Sequence, residues 1–104
     1  MALADLLEAC GYEVETAANG HEALEFLRTR SAPAVIILDL LMPVMDGWEF
    51  RAEQKRDSNL AAIPVVALTA LRQLPDFDAA AVVHKPVEFK RLLNAITRCS
   101  GERA

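Results

Sequence analysis

The stretch VIILDLLMPVMDG, residues 35–47, decides the fold. Val35, Ile36, Ile37 and Leu38 form an unbroken apolar run that ends on a carboxylate, Asp39. Such a run suits a strand covered on both faces, as in a parallel sheet; a strand with one face in water alternates apolar and polar residues. Met42-Pro43 and Asp46-Gly47 then mark a loop. Open parallel sheets build their sites outside the carboxyl ends of their strands, so a buried strand that delivers one acid to a loop is a candidate half of a site.

Outward from this stretch, helical and strand patterns alternate. Leu3, Leu6, Leu7 and Cys10 recur at helical spacing, with Gly11 as the stop. Tyr12-Glu13-Val14-Glu15-Thr16 alternates apolar and polar residues and predicts a strand. After Asn19-Gly20, the segment HEALEFLRTR reads as a helix with Ala23, Leu24 and Leu27 inward, ending near Pro33. From Gly47 to Asp57 the pattern is helical but mostly polar beyond Trp48 and Phe50. Gln54 falls where an apolar residue would help that helix bury itself, which predicts loose packing or a partner contact. Pro64 to Leu68 is a second buried strand, ending at Thr69, and Ala81-Val82-Val83 is a short one, ending at His84-Lys85-Pro86. Phe89, Leu92, Leu93 and Ile96 give the last helix its inward stripe. The alternation predicts one α/β domain over residues 1–104, a parallel sheet with helices on both faces.

Composition narrows the function classes. Hydrophobic residues make up 53% of the 104 residues, which argues against disorder, and no apolar run reaches the length of a membrane span. The opening MALADLLEACG carries two acids and no basic cluster, unlike a secretory leader. A net charge of −4 without a concentrated Lys/Arg run disfavours nucleic-acid binding. Cys10 and Cys99 are far apart and lack a companion ligand set, so they read as reduced thiols of a cytoplasmic protein. The chain has no P-loop, no G-x-G-x-x-G and no G-x-S-x-G elbow, which leaves an enzyme of this fold class without a recognisable motif.

Three strands end in residues that converge on one rim if the sheet is parallel: Asp39, Thr69 and Lys85. A carboxylate, a hydroxyl and an ammonium can together handle a phosphoryl group. Asp39 can attack phosphorus, Thr69 can bond a phosphoryl oxygen, and Lys85 can pair with Asp39 at rest and with the phosphate afterwards. Singly, each has an ordinary reading: a turn-capping Asp, a Thr with strand propensity, a Lys reaching to water. Their occurrence together, in strand order and punctuated by Pro43, Gly47 and Pro86, favours the site. His84 and His21 read as surface residues, and Trp48 as a reporter beside the loop.

These motifs, Asp39 to Gly47, Pro64-Val65-Val66-Ala67-Leu68-Thr69-Ala70 and Lys85-Pro86, resemble the receiver domain of two-component response regulators over nearly the whole chain. The resemblance implies a flavodoxin-like sheet of order 2-1-3-4-5. It implies Asp39 as phosphoacceptor in a phosphorelay, Thr69 as the switch hydroxyl, Lys85 as the conserved-type lysine, and a cis Lys85–Pro86 bond. It also implies Mg²⁺ held in part by Asp39 and the carbonyl of Leu41, and a histidine kinase or phosphotransfer protein as partner.

Several positions depart from the family pattern. The family's central first strand and the acidic pair after it have no counterpart before Asp5, and Asp5 and Glu8 read as the solvated face of the first helix. About half of the metal site is therefore missing, Asp46 is not placed to replace it, and Mg²⁺ binding is expected to be weak or absent. LRQLPDFDAA, residues 71–80, leaves room for at most a turn of the fourth helix, and Val82 stands where the family has its switch aromatic. The expected sheet is thus reduced to about four strands. Either Tyr12–Thr16 slides over to pair with Val35–Asp39, or a second copy covers the exposed edge; a homo-oligomer, most simply a symmetric dimer, is the expectation. The alternative to phosphotransfer is a degenerate receiver-fold module that works through surface contacts.

Overall fold

The computed structural model describes residues 3–41, 44–72 and 77–100. The expected Met42-Pro43 break and Pro75 lie outside these residues. Among the described residues the elements follow as α1 (Leu3–Ala9), α2 (Gly20–Thr29), β1 (Ile36–Asp39), α3 (Gly47–Arg56), β2 (Val65–Thr69), β3 (Ala81–His84) and α4 (Phe89–Ser100). The three strands form one parallel sheet in the order β1-β2-β3, with Ile36 opposite Val65 and Thr69 opposite His84.

β2 is the middle strand, and all five of its residues are buried. Successive side chains of a strand point to opposite faces, and the core divides accordingly. Val65 and Ala67 pack with Leu24 of α2 and Phe50 of α3, joined by Leu38, Leu40, Leu60 and Ile63. Val66 and Leu68 pack on the other face with Leu7 of α1, Val83 of β3, and Leu92, Ala95 and Ile96 of α4. The sheet therefore carries helices on both faces, as the alternation of patterns predicts.

The Tyr12–Thr16 segment is not a strand, which corrects the expectation of about four strands to three among the described residues. Nor does it pair with β1, whose ladder partner among the described residues is β2. Alternating residues supply a surface for a strand, but a strand also needs a neighbour for its backbone groups, and among the described residues none pairs with this segment. The missing neighbour shows in β1 as well. Ile36, Ile37 and Asp39 are half-buried where the unbroken apolar run predicted cover on both faces. Residues 71, 72 and 77–80 contain no helix, in line with the shortened connection expected there.

The expectation that α3 packs loosely around Gln54 is also overturned. Gln54 is fully buried, and its amide donates to the carbonyls of Leu60 (2.9 Å) and Ile63 (3.1 Å) while its Oε1 accepts from Arg51 (2.8 Å). The polar side chain ties α3 to the turn that leads into β2. Buried polar groups are costly only when unpaired, and this one is paired at both ends.

Candidate functional site

The rim is built by three strand ends in register. Leu40 donates its N–H to the Leu68 carbonyl (3.1 Å) and Lys85 donates its N–H to the Thr69 carbonyl (2.7 Å), so the residues that leave the sheet do so side by side. Asp39 and Lys85 meet there: Lys85 Nζ lies 2.6 Å from Asp39 Oδ2. Both side chains are 39% exposed. An ion pair this open to water contributes only about 0–1 kcal/mol, so stability gives little reason for it. The other carboxylate oxygen accepts from the Leu41 N–H at 3.2 Å. Thr69 is 1% exposed, and its hydroxyl accepts from the Leu71 N–H at 3.0 Å, which leaves its own proton available to a ligand oxygen. The structure thus places all three sequence-derived residues at one rim and puts Lys85 within direct reach of Asp39. The Lys85–Pro86 peptide is cis, as the resemblance implies.

The loop after Asp39 is fixed from below by α3. Asp46 caps that helix: its carboxylate accepts from the Glu49 N–H (2.9 Å), and Glu49 accepts from the Asp46 N–H (3.0 Å). This reciprocal capping box satisfies two otherwise orphaned donors. Its sequence signal is Asp46-x-x-Glu49 at the start of the helix. Gly47 is required at the first helical position, because a Cβ there would lie 2.5 Å from Leu40 Cδ2 and 2.8 Å from Leu40 Cα. Leu41 and Val44 are exposed in this loop, and Val44 has a φ of 69°, a left-handed conformation that a β-branched residue adopts only under strain.

A second set of contacts holds the segment that leads to Lys85. Phe77 meets Trp48 edge to face at 5.7 Å between ring centroids. Arg51 donates to the Asp78 carbonyl (2.9 Å), and Asp78 Oδ2 lies 2.6 Å from Lys55 Nζ and 3.4 Å from Arg51 Nη2. The hydrogen bond from Lys55 and the positive charges of Lys55 and Arg51 hold the Asp78 carboxyl below its ordinary value. The Arg51–Asp78 contact joins residues 27 positions apart, and none of these long-range contacts has a local sequence signal. His84 is exposed and lines an open groove of about 980 Å³ along β3 and α4, outside the rim formed by Asp39 and Lys85. His21 is exposed at the start of α2.

Among the described residues the carboxylates do not gather into a cluster that would hold Mg²⁺. Both oxygens of Asp39 already accept bonds, Asp46 is committed to its cap, and no group of three or more His, Cys, Asp or Glu side chains gathers among the described residues. Mg²⁺ demands near-octahedral oxygen ligation, and one shared carboxylate falls short of it.

Residues 1–97 match the family model described as the response regulator receiver domain. The polar-differentiation response regulator DivK of Brucella anthropi is 34% identical over 104 residues, covering 94% of this chain and 84% of that protein. Among solved structures, the signal receiver domain of a signal transduction histidine kinase from Syntrophus aciditrophicus superposes with a TM-score of 0.83 at 33% identity, covering 98% of this chain and 83% of that one. The receiver domain of the sensor histidine kinase PA1611 from Pseudomonas aeruginosa, which has a magnesium ion coordinated in its active-site cleft, superposes with a TM-score of 0.85 at 25% identity, covering 94% and 84%. Three further relatives with the names of transcriptional regulators are longer, and the chain spans 27% to 38% of their length. Fold, rim and relatives agree: the chain belongs to the response regulator receiver domain family of two-component signalling, with a flavodoxin-like parallel sheet.

Proposed function

We propose that residues 1–104 act as one receiver-type phosphorelay domain in which Asp39 is the phosphoacceptor and the metal site is incomplete. The observation that carries this reading is the 2.6 Å contact between Lys85 and Asp39 at the rim, an exposed ion pair with little value for stability. In the proposed reaction a carboxylate oxygen of Asp39 attacks phosphorus, and the bond from phosphorus to the donor breaks. Lys85 then turns from the carboxylate to the phosphoryl oxygens, and the Thr69 hydroxyl donates to one of them. The donor is a phosphorylated histidine on a kinase or phosphotransfer protein. Members of this family generally bind Mg²⁺, and the magnesium-bound PA1611 domain is an instance; here the ligand set supports only weak binding, and no step is assigned to the metal. The reading places the domain in the cytoplasm, as a signalling module and not an enzyme. Among the described residues no helix is long and apolar enough to cross a membrane.

A second reading is favoured by the incomplete ligand set: a receiver-fold interaction module without phosphotransfer. Intact-mass spectrometry after incubation with acetyl phosphate and Mg²⁺ separates the two. Slow, partial addition of one phosphoryl group, abolished in Asp39→Asn, supports the first reading. No addition supports the second. Each tenfold loss of rate corresponds to about 1.4 kcal/mol of transition-state stabilisation, so near-complete addition would contradict the argument from missing metal ligands.

A further inference from the structure

We propose that Arg51 is a positioning residue: through Asp78 it fixes the stagger of β3 on β2 and so holds Lys85 against Asp39. Lys85 directly follows β3, so its reach to Asp39 depends on where β3 sits along β2. The residues of β3 specify that stagger weakly. Val83 is buried and Ala81 half-buried, while Val82 and His84 are exposed. A slip of two residues would keep the same side chains inward and carry Lys85 about 7 Å along the sheet, out of its 2.6 Å contact with Asp39.

α3 supplies what β3 lacks. The Arg51 side chain is 14% exposed, and all three of its nitrogens are engaged. Nε donates to the Asp78 carbonyl (2.9 Å), Nη1 donates to Gln54 Oε1 (2.8 Å), and Nη2 lies 3.4 Å from Asp78 Oδ2. Gln54 in turn donates to the carbonyls of Leu60 and Ile63, in the turn that leads into β2. Asp78 stands three residues before the start of β3, and Ala80 between them donates its N–H to Val65, the first residue of β2 (2.9 Å). The approaches to both strands are thus tied to two adjoining side chains of α3, Gln54 for β2 and Arg51 for β3. A guanidinium suits this task, because its planar fork holds two partners in a fixed relation where an ammonium is a single mobile point. Lys55, 2.6 Å from Asp78 Oδ2, adds its charge to the same anchor. The positioning holds whether or not Asp39 accepts phosphate; its use in phosphoryl transfer rests on the proposed function.

The test reads the Lys85–Asp39 contact itself. The full chain is treated with trace acetic anhydride, and peptide mass spectrometry compares acetylation of Lys85 with that of Lys90, exposed on α4. Asp39→Asn should raise the Lys85-to-Lys90 ratio about threefold, the modest factor expected of an exposed ion pair. Arg51→Met should raise it by a similar factor, and the double variant no further, because both changes remove one contact. Asp78→Ala leaves the bond from Arg51 to the carbonyl of residue 78 and should give a smaller rise in the same direction. A general loosening of the fold would raise both lysines alike and leave the ratio unchanged. An unchanged ratio in Arg51→Met (or in Asp78→Ala, should Arg51→Met not fold), additive effects in the double variant, or an unchanged ratio in Asp39→Asn would each overturn the proposal. A lack of phosphate on Asp39 after acetyl phosphate treatment would instead overturn the proposed function and leave these ratios as they are.

Discussion

The two sides of β1 carry the same strand and very different surroundings. Toward β2, the N–H groups of Ile36 and Leu40 close a parallel ladder onto a strand buried along its whole length. Away from β2, the strand faces a cleft whose far wall, Tyr12–Thr16, has no ladder bonds. The functional rim divides in the same way. Lys85 and Thr69, from the closed side, stand beside Asp39, and among the described residues no group of three or more His, Cys, Asp or Glu side chains gathers there. In the proposed reading, the groups that would steer a phosphoryl oxygen stand together at the rim, while among the described residues no cluster of three or more metal-ligating side chains gathers.

The largest effect expected from this difference is in stability. Leu92 is fully buried against β2 and β3, and Leu92→Ala should cost about 2–5 kcal/mol in denaturant unfolding. Val14, half-buried on the wall of the cleft, should cost less than about 1 kcal/mol as Val14→Ala. Equal losses would break the comparison.

Next in size is the clamp on the closed side. Gln54→Leu strips the Leu60 and Ile63 carbonyls of their donor and should cost about 1–3 kcal/mol in the same measurement. A neutral result would mean that Gln54 is dispensable to the packing of α3.

The smallest effect concerns pH. Lys55, by its hydrogen bond and charge, and Arg51 hold the Asp78 carboxyl below its ordinary value of 3.8. A depressed folded-state value means that the contribution is fully present above the ordinary value and is lost as pH falls through the folded one. Asp78→Asn should therefore flatten the acid limb of the stability–pH curve slightly, and Lys55→Met should do the same. An unchanged limb would show that the exposed pair adds nothing to folding.

The contrast also explains what the sequence revealed. The three rim residues were legible because strand ends are marked by abrupt changes: Leu38 to Asp39, Leu68 to Thr69, and Val83 to His84-Lys85-Pro86. Burial dictates the apolar runs, so the positions where they stop are physical signals. Tyr12–Thr16 misled because its alternation reports a possible face and says nothing of a neighbour. Gln54 misled because a polar residue at an inward position reads as a flaw until its partners are known, and those partners are backbone carbonyls with no sequence identity. The Arg51–Asp78 and Trp48–Phe77 contacts were out of reach for the same reason, since long-range pairing leaves no local pattern.

Amide hydrogen exchange of the isolated chain tests the asymmetry of β1 most directly, because adjacent residues of one strand report on opposite sides. The N–H groups of Leu38 and Leu40 turn to β2, and those of Ile37 and Asp39 to the cleft. The account predicts slow exchange at Leu38 and Leu40, on the timescale of the β2 amides, and exchange at Ile37 and Asp39 faster by orders of magnitude. Uniform protection of all four amides in the free monomer would contradict it, because the open side of β1 would then be closed.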